Sequence, residues 1–294
     1  MRSFFSKPVI IVLVVIVVIG VGISVFFVSR KKPEIVVPTP VEVSSAPKYK
    51  VIGTSVEGRK IESFKFGSGG KHIAFVGGVH GGYEWNSVLL AYEFMDYLEE
   101  NPEIIPDNLT VTIIPSLNPD AVFDVTKKEG RFALSNVSKD QKVLEAARFN
   151  ANKVDLNRNF DCNWQATSTW RSNPVSGGSM PFSEPEAEAL RDFALQNKPD
   201  AVIFWHSQAN AVYASECHEG ILPVTLDIMN AYAKAAGYQA VKTFDSYKIT
   251  GDSEGWLASI NIPAITVELK THETVEWEKN LAGARAIFKY FSEK

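Results

Sequence analysis

An α/β domain with a mixed, largely parallel central sheet between helical layers is the fold this sequence predicts, on two observations. From about Lys48 onward, short apolar runs alternate with longer runs of helical periodicity, the order expected when strands are connected through helices. The runs "DAVIFWHS" and "IPAITVELK" are also continuously apolar, with no polar alternation, as strands covered on both faces must be.

The elements follow in order. "HIAFVGGVH" is a short strand ending in glycines. "SVLLAYEFMDYLEE" places Val88, Leu89, Tyr92 and Leu98 at helical spacing, with Asn86 or Ser87 as its N-cap. "LTVTIIPSLNPD" reads as a strand stopped by a proline turn. "SEPEAEALRDFALQNKP" opens with the pattern of a capping box, Ser183 to Glu186, with Pro185 in the first turn. "WEKNLAGARAIFKYFSEK" completes the series as a helix. In sheets of this kind ligands bind beyond the carboxyl ends of the strands. His80, His206 and Glu268 each stand at the end of such a run, so the pattern predicts that three chemically capable side chains share one rim.

The residues before Lys48 belong to a different class. Val9 to Val28 carry no charge and are dominated by Val, Ile and Phe; a helix of that length spans roughly 30 Å, the hydrocarbon thickness of a bilayer. The run ends in "FFVSRKK" without a small-residue cleavage site, which favours an uncleaved anchor over a signal peptide. Residues 31–47 include "PEIVVPTPVEVSSAP", with four prolines and no aromatic residue, the composition of an extended tether. The predicted organisation is therefore an anchor over 1–30, a tether over 31–47 and a single domain over 48–294. Basic residues flank both ends of the apolar run, so charge counting does not orient it. Residues 48–294 carry 25 Lys and Arg against 32 Asp and Glu, an acidic balance that argues against a nucleic-acid partner. Cys162 and Cys217 are the only cysteines and form no CxxC pair; a disulfide outside the cytoplasm and two reduced buried thiols both fit.

A catalytic zinc site uses three His or carboxylate ligands and keeps a position open. His80, Glu84 and His206 meet that need as a group, although singly each also suits a structural role, Glu84 as an acid favoured at a helix start. The segment "ARFNANKVDLNRNFD" brings Arg148 and Arg158 together with Asp155, Asn157 and Asn159, while Val154, Leu156 and Phe160 alternate with them to bury one face. The planar fork of arginine suits two-point recognition of a carboxylate.

"HGGYE", "RFNANKVDLNRNFD", "FWHS" and "TVEL", in that order, resemble the zinc carboxypeptidase family of the carboxypeptidase A/B type, from about Tyr49 onward. The resemblance implies a carboxypeptidase-like three-layer fold, one zinc ion per chain, and a peptide substrate with a free C-terminal carboxylate. It implies His80, Glu84 and His206 as zinc ligands, with Asp155 orienting a ligand histidine. Asn157 and Arg158 match the pair that binds the terminal carboxylate. Arg148 matches the arginine that polarises the scissile carbonyl. Glu268 stands at the position of the general base, and Tyr247 at that of a tyrosine closing over substrate. One departure is visible: the family spaces its first two ligands as His-x-x-Glu, and this chain has His-x-x-x-Glu. Asp252 and Glu254 in "TGDSEGW" read either as acids that pair with a cationic terminal side chain, such as Lys, Arg or diaminopimelate, or as solvated loop acids. The membrane setting adds an expectation of an extracytoplasmic domain acting on secreted or cell-wall peptides. Two other readings stay open. One is a zinc amidohydrolase of the aspartoacylase or succinylglutamate desuccinylase type, against which the 26 residues after Glu268 read as a helix rather than a further β-rich domain. The other is a non-catalytic, membrane-tethered peptide-binding module.

Overall fold

The computed structural model describes residues 48–294; the expected anchor and tether lie outside the described residues. Among the described residues, no helix is long and apolar enough to cross a membrane.

β1 (Lys48–Thr54) and β2 (Lys60–Gly67) form an antiparallel pair at one edge, and β1 is largely exposed. β3 (Lys71–Val76) leads through a glycine-rich turn into a 3-10 turn, Gly81–Glu84, which continues as α1 (Trp85–Glu100). β4 (Leu109–Ile114), buried at every position, lies parallel to β3. Next come α2 (Pro119–Thr126) and α3 (Gln141–Ala146), then a 3-10 turn at Leu156–Arg158 and the hairpin β5 (Thr167–Trp170) with β6 (Asn173–Ser176). The remaining elements are α4 (Pro185–Asn197), β7 (Ala201–Ser207), β8 (Ala211–Ala214), α5 (Pro223–Ala236), β9 (Gln239–Val241), α6 (Ser253–Ser259), β10 (Ala264–Leu269) and α7 (Trp277–Ser292).

Eight strands make one mixed sheet in the order β1-β2-β4-β3-β7-β10-β8-β9. Its centre, β4-β3-β7-β10, is parallel, as the continuous apolar runs predict. Helices cover both faces. On one, α1, α5 and α7 bury Phe94, Met95, Tyr232 and Phe288 against Phe75 and Trp205. On the other, α4 and α6 pack Leu190, Phe193, Trp256 and Leu257 over Val76, Val202 and Phe204. Alternate residues of β3 and β7 thus feed opposite cores, which is why neither strand has a polar face.

Two predicted helix starts need correction. α1 begins at Trp85 with Glu84 in the N-cap position, so Asn86 and Ser87 lie inside its first turn, where the Ser87 hydroxyl donates to the Glu84 carbonyl at 2.7 Å. α4 begins at Pro185 with Glu184 as N-cap and no side-chain cap. The Ser183 hydroxyl instead donates to Glu184 at 2.8 Å, and Glu186 accepts from Asn150 and from the Val56 amide. Tertiary hydrogen bonds to distant loops have displaced the local capping pattern in both places.

Candidate metal centre and cleft

The parallel core of the sheet places the site. β7 and β10 are in register with Glu268 beside His206, and the turn after the neighbouring β3 carries His80. The local path from His80 to Glu84 depends on the glycines. Gly81 adopts φ +46°, and a Cβ there would stand 2.4 Å from the Ala121 side chain; at Gly82 it would meet Val125 at the same distance. Only glycine lets this turn pack on α2 while it rotates the chain from strand into helix. The resulting 3-10 turn takes up the extra residue, and Glu84 points back at His80.

His80 Nδ1 lies 2.8 Å from Glu84 Oε1, His206 Nδ1 lies 2.9 Å from Glu84 Oε2, and the two Nδ1 atoms are 3.2 Å apart. All three side chains are buried. The outer nitrogens each face a second carboxylate: His80 Nε2 is 3.4 Å from Asp155 Oδ1, and His206 Nε2 is 3.4 Å from Glu254 Oε1. At these distances neither Nε2 is hydrogen-bonded, and the nearby carboxylates favour by charge a proton on Nε2, the tautomer that leaves Nδ1 to ligate. Burial works against the charge on both Glu84 and His206. The histidines nevertheless hold Glu84 well below the ordinary carboxylate range, and Glu84 and Glu254 raise His206 well above its usual value. Two convergent imidazole nitrogens and a carboxylate, buried and backed by two more carboxylates, form a donor set that fits a divalent metal of the zinc type.

A cleft of about 600 Å³ opens over this centre. It is lined by the three residues above together with Arg148, Asn157, Arg158, Tyr247, Asp252, Glu254 and Glu268, so the fold assembles in one place every predicted site residue but Asp155, which stands behind His80. Arg148 is buried, with Nε donating to Asp155 Oδ2 at 3.0 Å, Nη2 ion-paired with the same oxygen at 2.9 Å and Nη1 3.9 Å from Glu84. Its guanidinium carbon lies 4.5 Å from the Trp170 ring centroid. Asn157 accepts from the Ser253 amide and hydroxyl through Oδ1, which orients its amide. Arg158 donates to the Thr169 and Asn157 carbonyls. Glu268 has one carboxylate oxygen buried without a partner; burial first, and then the charge of Glu84, push its carboxyl up to about 8 in the metal-free chain. Tyr247 is half-buried with its ring centroid 4.8 Å from that of Phe244. Cys162 and Cys217 form a disulfide in the cleft wall.

The chain belongs to the zinc carboxypeptidase family. The family's profile matches residues 42–282. Among its relatives, the gamma-D-glutamyl-L-diamino acid endopeptidase 1 of Lysinibacillus sphaericus is 26% identical over 241 residues, covering 74% of this chain and 59% of that protein. The chain spans less than two thirds of the length of the curated relatives it matches. The fold is shared with solved structures, among them these two. The murein-tripeptide amidase of Escherichia coli O157 aligns with a TM-score of 0.57 at 22% identity, over 82% of this chain and 91% of that one. Bovine thrombin-activatable fibrinolysis inhibitor aligns with a TM-score of 0.65 at 21% identity, over 84% and 91%.

The acids of "TGDSEGW" are not solvated loop acids. Asp252 caps α6, accepting from the Gly255 amide at 2.7 Å. Glu254 accepts from Ser253 and Thr266 while facing His206. Burial and the neighbouring Glu254 raise Asp252 to about 6, whereas His206 outweighs burial and holds Glu254 at about 2. The contact between Glu254 and His206 crosses 48 positions of sequence, and no local pattern announces it. Trp170, Arg171, Tyr83 and His272 also line the cleft. Of these, Tyr83, inside "HGGYE" between the two ligands, and His272, four residues beyond Glu268, carried a positional signal in the sequence.

Proposed function

We propose that this chain is a zinc-dependent metallocarboxypeptidase that hydrolyses the last amide bond of peptides ending in a free carboxylate. The observation that supports it most is the convergence of His80, Glu84 and His206 with Glu268, Arg148 and Asn157 on one cleft. His80, Glu84 and His206 would hold one zinc ion. When bound, zinc polarises the scissile carbonyl and makes a water nucleophilic near neutral pH.

The remaining steps fall to side chains of the chain. Asn157 and Arg158 hold the terminal carboxylate, and Tyr247 closes over the terminal residue. Glu268 takes the proton of the attacking water and returns it to the leaving amine. Arg148, oriented by Asp155, stabilises the negative charge that develops on the carbonyl oxygen. A relative named for gamma-D-glutamyl-L-diamino acid cleavage and a fold neighbour named for murein tripeptide support cell-wall stem peptides as the substrate class. Asp252 and Glu254 would then face the free cationic end of a diamino acid. The apolar run Val9–Val28 supports a membrane-tethered enzyme, which extraction of membranes with carbonate or detergent tests; an extracytoplasmic domain follows only from the cell-wall substrate class, and protease accessibility in intact cells tests it.

The deciding experiment is a panel of free-carboxylate peptides ending in Lys, Phe or diaminopimelate, with and without a chelator. Chelator-sensitive release of the last residue is expected, with the diamino end preferred. A folded protein holding less than one zinc per chain, and cleaving none of the panel, would show a binding module instead. A clear preference for Phe would remove the acidic pocket from the reading.

A further inference from the structure

Glu84 stands at the N-cap of α1 and His206 near the end of β7, so the metal centre needs this helix held in register on this strand. Along β7 alternate side chains take opposite faces. Val202 and Phe204 join the core under α4 and α6, whereas Ile203 and Trp205 join the core under α1. Ser207 is next on the α1 face, and its neighbour His206 takes the other. Higher up, α1 meets this face through apolar rings, with Phe94 and Trp205 centroids 5.6 Å apart. Apolar burial is non-directional; it holds the helix on the sheet without fixing how far it slides along the strand.

Among the described residues, the side-chain hydrogen bond that joins α1 to β7 runs from the Ser207 hydroxyl to Asn86 Oδ1, at 3.0 Å. Asn86 is fully buried and is itself fixed. Its Nδ2 donates to the Thr271 and Thr274 carbonyls at 2.7 and 2.9 Å, which turns Oδ1 toward Ser207 and ties in the loop that follows Glu268. Each polar atom of this side chain is thus matched. The next residue has a more local task. The Ser87 hydroxyl accepts from the Gly78 amide at 3.0 Å and donates to the Glu84 carbonyl at 2.7 Å, closing the turn that carries His80. Ser87 therefore holds Glu84 relative to His80, within one turn, and Asn86 holds it relative to His206, across two elements. An apolar residue would fill a buried site between helix and sheet without an amide's desolvation cost; what the amide adds is direction.

We propose that Asn86 is a positioning residue of the metal centre, setting through Ser207 the register in which Glu84 and His206 meet one ion. This rests on reading His80, Glu84 and His206 as zinc ligands. The test measures zinc affinity of the full-length protein by competition with a chromogenic chelator, and reads the coordination sphere from visible absorption of the cobalt-loaded protein. Ser207→Ala and Asn86→Ala remove the bond from its two ends. Each folded variant should bind zinc roughly 10-fold more weakly and show an altered cobalt spectrum. The double variant should fall well short of the product of the two losses, because both remove one bond. Lower urea midpoints with unchanged zinc affinity and cobalt spectrum would make Asn86 a packing residue and overturn the proposal, as would losses that multiply in the double variant. Should Asn86→Ala fail to fold, Ser207→Ala decides alone between weakened and unchanged zinc binding. Wild-type protein that takes up no zinc overturns the ligand reading itself, and the proposal with it.

Discussion

At the scale of single residues, the site depends on which carboxylate does which task. Glu268 has no partner for one buried oxygen, and its raised pKa reflects confinement near Glu84 rather than a structural ion pair. Glu268→Gln keeps shape and removes proton transfer, so turnover should fall roughly 10²- to 10⁴-fold while zinc content stays at one per chain. Near-normal turnover would exclude Glu268 from the chemistry. Asp155 and Glu254 work through the histidines. Asp155→Asn should weaken zinc roughly 10- to 100-fold, read by competition with a chromogenic chelator. Glu254 separates two roles: if it mainly orients His206, Glu254→Gln weakens zinc alike with or without substrate. If it mainly meets a cationic substrate end, zinc affinity holds and the Lys-over-Phe preference collapses. Asp155 also ties pH to stability. Burial opposes its charge, but Arg148 and His80 more than compensate, leaving its folded pKa far below the unfolded value near 3.9. The folded state thus binds fewer protons at acidic pH, and the stabilisation present above pH 4 is lost as pH falls below it. Urea midpoints of the wild type should drop between pH 6 and pH 3 by more than those of Asp155→Asn.

At the scale of elements, the turn between β3 and α1 decides whether a four-residue step can serve as a ligand pair. The 3-10 turn does so by closing tightly over α2, where Gly81 and Gly82 leave no room for a side chain. Gly81→Ala must both hold a residue at positive φ and displace Ala121, which should destabilise the domain by about 1–3 kcal/mol. A lower urea midpoint with weakened zinc binding is the expected outcome; unchanged midpoint and affinity would mean the turn tolerates a Cβ and is not what seats Glu84. The sequence revealed much at this scale, because the parallel strands are dominated by apolar residues, β7 and β10 carry His206 and Glu268 near their ends, and His80 follows β3 in the turn. It misplaced the starts of α1 and α4, since Asn86 and Glu186 are held by Thr271, Thr274, Asn150 and Val56 rather than by their own helices. The hairpin carrying Trp170 and Arg171 was silent for a similar reason. Its contribution to the cleft is the packing of Trp170 against Arg148 and Tyr83, residues far off in sequence.

For the whole folded domain, two cross-links of different chemistry would meet at the cleft: the zinc that His80, Glu84 and His206 would hold and the Cys162–Cys217 disulfide in the wall. The sequence left the cysteines open between thiols and a bridge; the structure brings their Cα atoms to 6.2 Å and bonds them across 55 positions. Closing a loop of that length restricts the unfolded chain by about 4 kcal/mol on chain-entropy grounds, while zinc at a thousandfold excess over its dissociation constant adds a similar amount. Each gain is large beside the 5–15 kcal/mol net stability of an ordinary domain. The two are distinguishable because each responds to its own reagent. Reduction should lower the guanidinium midpoint of the wild type and leave Cys162→Ser/Cys217→Ser unmoved, while a chelator should lower both. Bridge and zinc act on different walls, the bridge on the segment following Asn157 and Arg158 and the zinc on the turn holding Glu84. Loss of the bridge should therefore raise KM for free-carboxylate peptides more than it lowers kcat. An equal fall in kcat with KM unchanged would mean that the bridge instead supports the metal centre.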